Sequence, residues 1–203
     1  MAEQIVSRPE ALQLGPVRTH GIGWNGVACL VASESALFVY LLFSYYYLGA
    51  VNRVGWVLET HPSMKLALPD TALLIASSFV AMWGEKGIRT GRRGQALAGI
   101  GIAIAMGAVF VAVQIAEWSG KSYGLSTNSY AALYFLTTGF HMVHVVVGLV
   151  ILAAIFLWTA LGYFGPVRQL SAANGILYWH FVDIVWLFVF ATYYLTPYLG
   201  FGT

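Results

Sequence analysis

Chemistry in this sequence is confined to a few protonatable side chains set in apolar stretches. His141-Met142-Val143-His144 puts two imidazoles three residues apart, and His180-Phe181-Val182-Asp183 puts an imidazole and a carboxyl at the same spacing. Glu34 stands in Ser33-Glu34-Ser35-Ala36-Leu37-Phe38. Residues at i, i+3 share one face of a helix. Each ionisable group at the centre of a membrane helix costs about 2.5–3.5 kcal/mol on insertion scales, so such groups need partners or a purpose. Three kinds of chemistry suit the set. Buried polar groups can act as interhelical glue. Carboxyl and imidazole can relay or buffer protons, with Glu34 central to that role. His-x-x-His beside a carboxylate can bind zinc or iron, although carboxylate-bridged sites usually bring Glu-x-x-His pairs from separate helices. Haem ligation would need opposed histidines, which His141 or His144 with His180 could supply. No glycine-rich phosphate loop and no nucleophile triad is seen.

The elements that must carry these groups follow from composition. Hydrophobic residues make up 59% of the 203 and charged residues 9%, against about 25% charged in a soluble domain. This predicts an all-α membrane protein. Five apolar segments, at about 25–48, 69–86, 96–117, 130–161 and 174–197, are each long enough for a hydrocarbon core of about 30 Å. They form one domain over 1–203. Continuous apolar runs exclude the alternating strands of a barrel. The second span is the shortest, bracketed by Asp70 and Glu85; the fourth is long enough to tilt or project. Residues 1–24 lack the apolar run of a secretory signal. The connection 49–68, with Pro62, reads as an ordered outer loop. Cys29 is the only cysteine and is expected to fill space in the first helix. A net charge of +2 gives no reason to expect nucleic acid.

Lys and Arg set the orientation. Arg8, Arg18, Lys86, Arg89, Arg92, Arg93 and Arg168 fall on one side, and Arg53, Lys65 and Lys121 on the other. The positive-inside rule then puts the N-terminus in the cytoplasm and the C-terminus outside. Trp24, Trp56, Trp118, Tyr123, Tyr163 and Tyr198 fall near span ends, as an interfacial belt would. The run from Arg89 to Arg93 serves as a topology signal or touches anionic head groups. At about 1.5 Å per residue, Glu34, Asp183 and His141 reach a similar depth, with His144 and His180 about 4–5 Å nearer the cytoplasm. The expected arrangement is one polar cluster linking spans one, four and five. Gly99, Gly101 and Gly107, with Ser77 and Ser78, are expected to serve close helix contact. Asp70 reads as a first-turn residue facing the helix dipole, Gln114 as interhelical glue, and Glu117 as an interfacial carboxylate beside Trp118.

Four separated blocks resemble subunit III of haem–copper terminal oxidases, in its short five-helix bacterial form. They are 33–38, with Glu34; 71–78, Thr71 to Ser78; 138–148, with His141 and His144; and 178–187, with His180 and Asp183. Gln114 to Trp118 is a looser fifth match. Met142 departs from the family's usual glycine, and five spans replace the seven of longer relatives. The resemblance implies a two-plus-three V-shaped bundle, spans one and two forming the small arm, with phospholipids in the cleft. It implies no catalytic residue, no cofactor and no metal in this chain, with haem and copper in partner subunits. Glu34, His141, His144, His180 and Asp183 would form its buried polar set. It implies direct contact with oxidase subunit I, association with subunit II and small subunits, room for a respiratory supercomplex, and residence in the bacterial inner membrane. The chain would support proton uptake and stability while the assembly reduces oxygen to water with cytochrome c as donor. A quinol oxidase, a nitric oxide reductase complex, or an independent transporter or di-metal enzyme are the alternatives.

Overall fold

The computed structural model describes residues 22–52, 56–58, 64–166 and 168–201. Arg8, Arg18, Arg53 and Pro62, used above for topology and for the outer loop, lie outside the described residues. The described residues form five long helices, α1 (Ile22–Asn52), α2 (Met64–Arg89), α3 (Arg93–Ser119), α4 (Ser129–Ala160) and α5 (Leu170–Phe190). A π-helical turn (Ala191–Leu195) and a 3₁₀ turn (Pro197–Leu199) follow α5. All five helices are long and apolar enough to cross a membrane. Helices suit that setting because every backbone polar group within a span is bonded inside the span.

The bounds agree with the sequence except in α2, which begins five residues before its expected start. Met64 to Leu68 extend it, with Pro69 inside the helix. Asp70 is therefore not in the first turn and does not face the dipole as expected; it is 5% exposed, inside the bundle. The helix ends are closed locally. Asn128 caps α4 by accepting from the Ala131 N–H at 2.8 Å, the usual role of Asn at that position. Gly91 and Gly162 take φ of 72° and 78° after α2 and α4. Each lets the next N–H reach back, Arg92 to Gly87 O at 2.8 Å and Tyr163 to Trp158 O at 2.9 Å, which satisfies carbonyls left open at a helix end. Arg93 donates to Ala160 O, tying the α2–α3 turn to the end of α4.

Small residues zip α2 onto α3. A Cβ on Gly99 would lie 2.5 Å from the Gly84 backbone, and one on Gly87 2.5 Å from that of Ala96. Such close approach is how membrane helices gain dispersion contact where lipid supplies no hydrophobic drive. The centre of the bundle is Trp179 of α5. Its ring lies between Gly107 of α3 and Gly148 of α4, where added Cβ atoms would meet it at 2.6 and 2.7 Å. Its indole N–H donates to Ser77 Oγ of α2 at 3.0 Å. Two turns on, Trp186 repeats the arrangement: it donates to Thr71 Oγ1 at 3.0 Å and stands edge-on to Phe110 at 4.9 Å. Ser77 is thus a hydrogen-bond acceptor and not only a small residue. Gly101 meets Phe156 of α4.

The pairing of helices differs from the expected arms. α2 packs most extensively on α3 and also on α5, so α2 to α5 form one bundle, while α1 rests on α4 and α5. The reason is local: the tight turn and small-residue zipper commit α2 to α3. α1 is held instead by Phe38 against the His144 ring, and by Tyr45 Oη to Thr196 Oγ1 at 2.9 Å. Its opposite face, with Val39, Tyr40 and Phe43, is exposed, and so is Cys29, which does not fill interior space as expected.

Replacing Gly148 by Val drives a side chain into the Trp179 ring. Overpacking of this kind costs about 1–3 kcal/mol, and the expected outcome is a lower thermal midpoint for the purified protein, measured by tryptophan fluorescence. An unchanged midpoint counts against Trp179 as the centre of the packing.

Candidate functional site

The five flagged side chains do not form one cluster. They fall into three groups, each fixed by a different pair of helices. No hydrogen bond joins one group to another among the described residues.

The first group joins α1 to α4. Glu34 Oε2 lies 3.1 Å from His144 Nε2, and His144 Nδ1 lies 2.7 Å from Phe140 O. A carbonyl oxygen only accepts, so Nδ1 carries a hydrogen. The contact between Nε2 and Oε2 then holds a single proton. It sits on the carboxyl if the pair is neutral, or on the ring if the pair is ionic. Phe38 covers the imidazole edge-on at 5.1 Å. The pair is only partly covered by this chain, with Glu34's side chain 30% exposed. Its geometry suits reversible proton transfer between the two partners: the ring is held by one nitrogen and the carboxyl reaches the other.

The second group joins α5 to α2. His180 Nδ1 lies 2.8 Å from Ser78 Oγ, and the Ser78 hydroxyl donates to Asp183 Oδ2. With its one hydrogen committed to the carboxylate, Ser78 must accept from His180 Nδ1–H. The i, i+3 pair on α5 is therefore bridged through a residue of α2. Sequence reading gave Ser78 a packing role only. The available signal was its position beside Ser77 on the face that α5 covers. Asp183 Oδ1 is buried with no partner among the described residues.

His141 forms the third group alone, 1% exposed. Its Nε2–H donates to Val182 O at 3.2 Å, and its ring lies 4.9 Å from Trp186 and 5.8 Å from Phe110. Sharing a helix face with His144 does not bring the two to one partner: His141 turns toward α5 and His144 toward α1. No three His, Cys, Asp or Glu side chains converge on one point among the described residues.

A further polar group, missed by sequence reading, lies at the opposite end of the bundle from the α2–α3 turn. Glu117 Oε1 accepts from the Tyr194 hydroxyl and from the Tyr134 hydroxyl at 3.4 Å, and pairs with Lys121 Nζ at 3.4 Å. It is more than an interfacial carboxylate. The π-helical turn, closed by Thr196 N–H to Ala191 O at 3.1 Å, makes this possible. It buries Tyr193 and Tyr194 side by side, with Tyr193 Oη reaching Thr137 Oγ1 at 3.0 Å. Gln114 is not the expected glue: neither its Nε2 nor its Oε1 has a partner among the described residues.

A family model described as cytochrome c oxidase subunit III matches residues 15–198. The cytochrome c oxidase subunit 3 of Synechocystis sp. is 35% identical over 174 residues, covering 84% of this chain and 74% of its own. A probable cytochrome c oxidase subunit 3 of Nocardia farcinica is 36% identical over 177 residues, covering 83% and 85%. The subunit 3 of Dugong dugon is 31% identical over 176 residues, covering 83% and 67%.

Replacing Ser78 by Ala leaves His180 Nδ1–H and Asp183 Oδ2 without the hydroxyl that joins them. An unsatisfied buried polar group costs about 1–3 kcal/mol, so the variant should unfold at lower temperature than Ser44→Ala, whose hydroxyl bonds only its own helix at Tyr40 O. Equal midpoints would refute the bridge.

Proposed function

The chain belongs to the cytochrome c oxidase subunit III family, and from that membership we propose that it is the non-redox subunit III of a proton-pumping terminal oxidase in a bacterial inner membrane. It packs against catalytic subunit I, with subunit II and small subunits nearby. The haem and copper that reduce oxygen to water, with electrons from cytochrome c, belong to those partners. This chain contributes proton handling, lipid and stability. The bundle end that carries Lys86, Arg89, Arg92, Arg93 and Arg168 is the cytoplasmic one, by the excess of basic residues in its two turns.

The observation that carries the reading is the Glu34–His144 pair. It is the flagged group with a single shared proton, held at a ring whose other nitrogen is locked to Phe140 O. It is also partly open on the α1 side, where a proton can be delivered or withdrawn. In a low-dielectric setting such a pair exchanges between neutral and ionic forms without moving either helix. His180–Ser78–Asp183 and His141 hold the fold, as interhelical hydrogen bonds in membranes do. A groove along α1 and α5, lined by Phe38, Leu42, Phe181, Val185 and Phe188, continues past Ser35 toward Ala28 and Leu177. Its apolar walls suit a phospholipid acyl chain.

The test is Glu34→Gln, which keeps a hydrogen-bonding group but cannot give up the proton. The expected outcome is an assembly that forms normally and retains its haem spectrum, with impaired proton uptake and earlier inactivation over repeated turnover. Turnover as sustained as in the unaltered assembly would overturn the proton role, and a chain that purifies without any haem protein would overturn the subunit assignment.

A further inference from the structure

Asp70 and Gln114 are left over by every account given so far. They face each other across the α2–α3 zipper. Gly87 meets Ala96, and Gly84 meets Gly99 and Ile100; carried two heptads further from the turn, the same antiparallel register brings Asp70 opposite Gln114. Both belong to the buried face of their helix, and Asp70 lies within electrostatic reach of Glu117, one turn beyond Gln114. Gln114 is 2% exposed. Three polar atoms here have no hydrogen-bond partner among the described residues: Asp70 Oδ1, Gln114 Oε1 and Gln114 Nε2.

We infer that Asp70 and Gln114 enclose a buried water site within the bundle. Buried polar atoms in folded proteins are almost always paired, with protein or with ordered water. The chemistry of the three atoms selects among the ways to pair them. A metal cation would satisfy Oε1 and Oδ1 but would face the hydrogens of Nε2. A direct bond from Nε2 to the Asp70 carboxylate leaves Oε1 with no donor. Two waters satisfy all three atoms: one accepts from Nε2, the other donates to Oε1, and either donates to Oδ1. Internal waters typically make about three hydrogen bonds to polar groups that otherwise have none. The neighbouring groups close the site. Glu117 Oε1 is occupied by Tyr194, Tyr134 and Lys121, and Tyr193 by Thr137, so none of them turns inward to replace the water.

The test is the structure of the membrane-purified assembly by electron cryomicroscopy, at a resolution that shows ordered water. The expected result is density within hydrogen-bond distance of a Gln114 amide atom and of Asp70 Oδ1. A direct Gln114–Asp70 bond with no density between them would overturn the inference. So would a peak ringed by six or more oxygens at roughly 2.3–2.6 Å, the signature of a bound calcium ion. A double-mutant cycle is independent of that map. Asp70→Leu and Gln114→Leu each strand the water's remaining partners, so the double variant should lose less thermal stability than the two single losses added together. Additive losses would show that the two side chains share no site.

Discussion

The bundle depends on one indole ring in a slot that only glycine leaves open. Trp179 touches α3 at Gly107 and α4 at Gly148, and its N–H reaches Ser77 of α2. A single side chain of α5 thus fixes the spacing of three other helices. Lipid tails are as apolar as the protein interior, so no hydrophobic drive holds spans together. Close shape fit and an internal hydrogen bond must do it instead. Trp186 repeats the device two turns away with Thr71 and Phe110, and the two rings set the axis on which the polar groups are hung.

That axis explains why the protonatable groups separate. His141 lies beside Trp186 and is sealed in. His144, one turn on, faces α1 and meets Glu34. His180 and Asp183 look toward α2, where Ser78 joins them. The same counting of donors and acceptors gives different chemistry in each place. His141 and the α5 pair have their hydrogens committed to fixed partners. Between Glu34 and His144 there is one proton and two bases, in a position that this chain covers only in part.

The five spans, their order and the residues worth attention were legible in the sequence, because length and apolarity decide what crosses a membrane and charge at depth is conspicuous. The family was legible too, from blocks such as 138–148 and 178–187. Azimuth was not. Equal depth suggested that Glu34, His141 and Asp183 would meet, but depth says nothing about which way a side chain faces around its helix. Pairing of helices was hidden for a related reason: Gly84 and Gly87 matter only once Gly99 and Ala96 lie against them. Asp70 was misread because α2 starts earlier than its apolar run, so a residue that looked terminal is interior. Ser78 carried no signal beyond its size until His180 and Asp183 faced it.

The π-helical turn at Ala191–Leu195 has a consequence for how the C-terminal segment can vary. A turn of five residues holds one more than the ladder of α5 requires. Loss of that one residue would restore a regular helix and rotate everything after it by about 100°. Thr196 would swing away from Tyr45 and Phe201 from Gly49, where they now clasp α1. Substitutions can therefore be absorbed in this stretch more readily than changes of length. The grip on α1 is set by a phase offset, so a single-residue deletion at the turn would undock a helix whose own sequence is untouched.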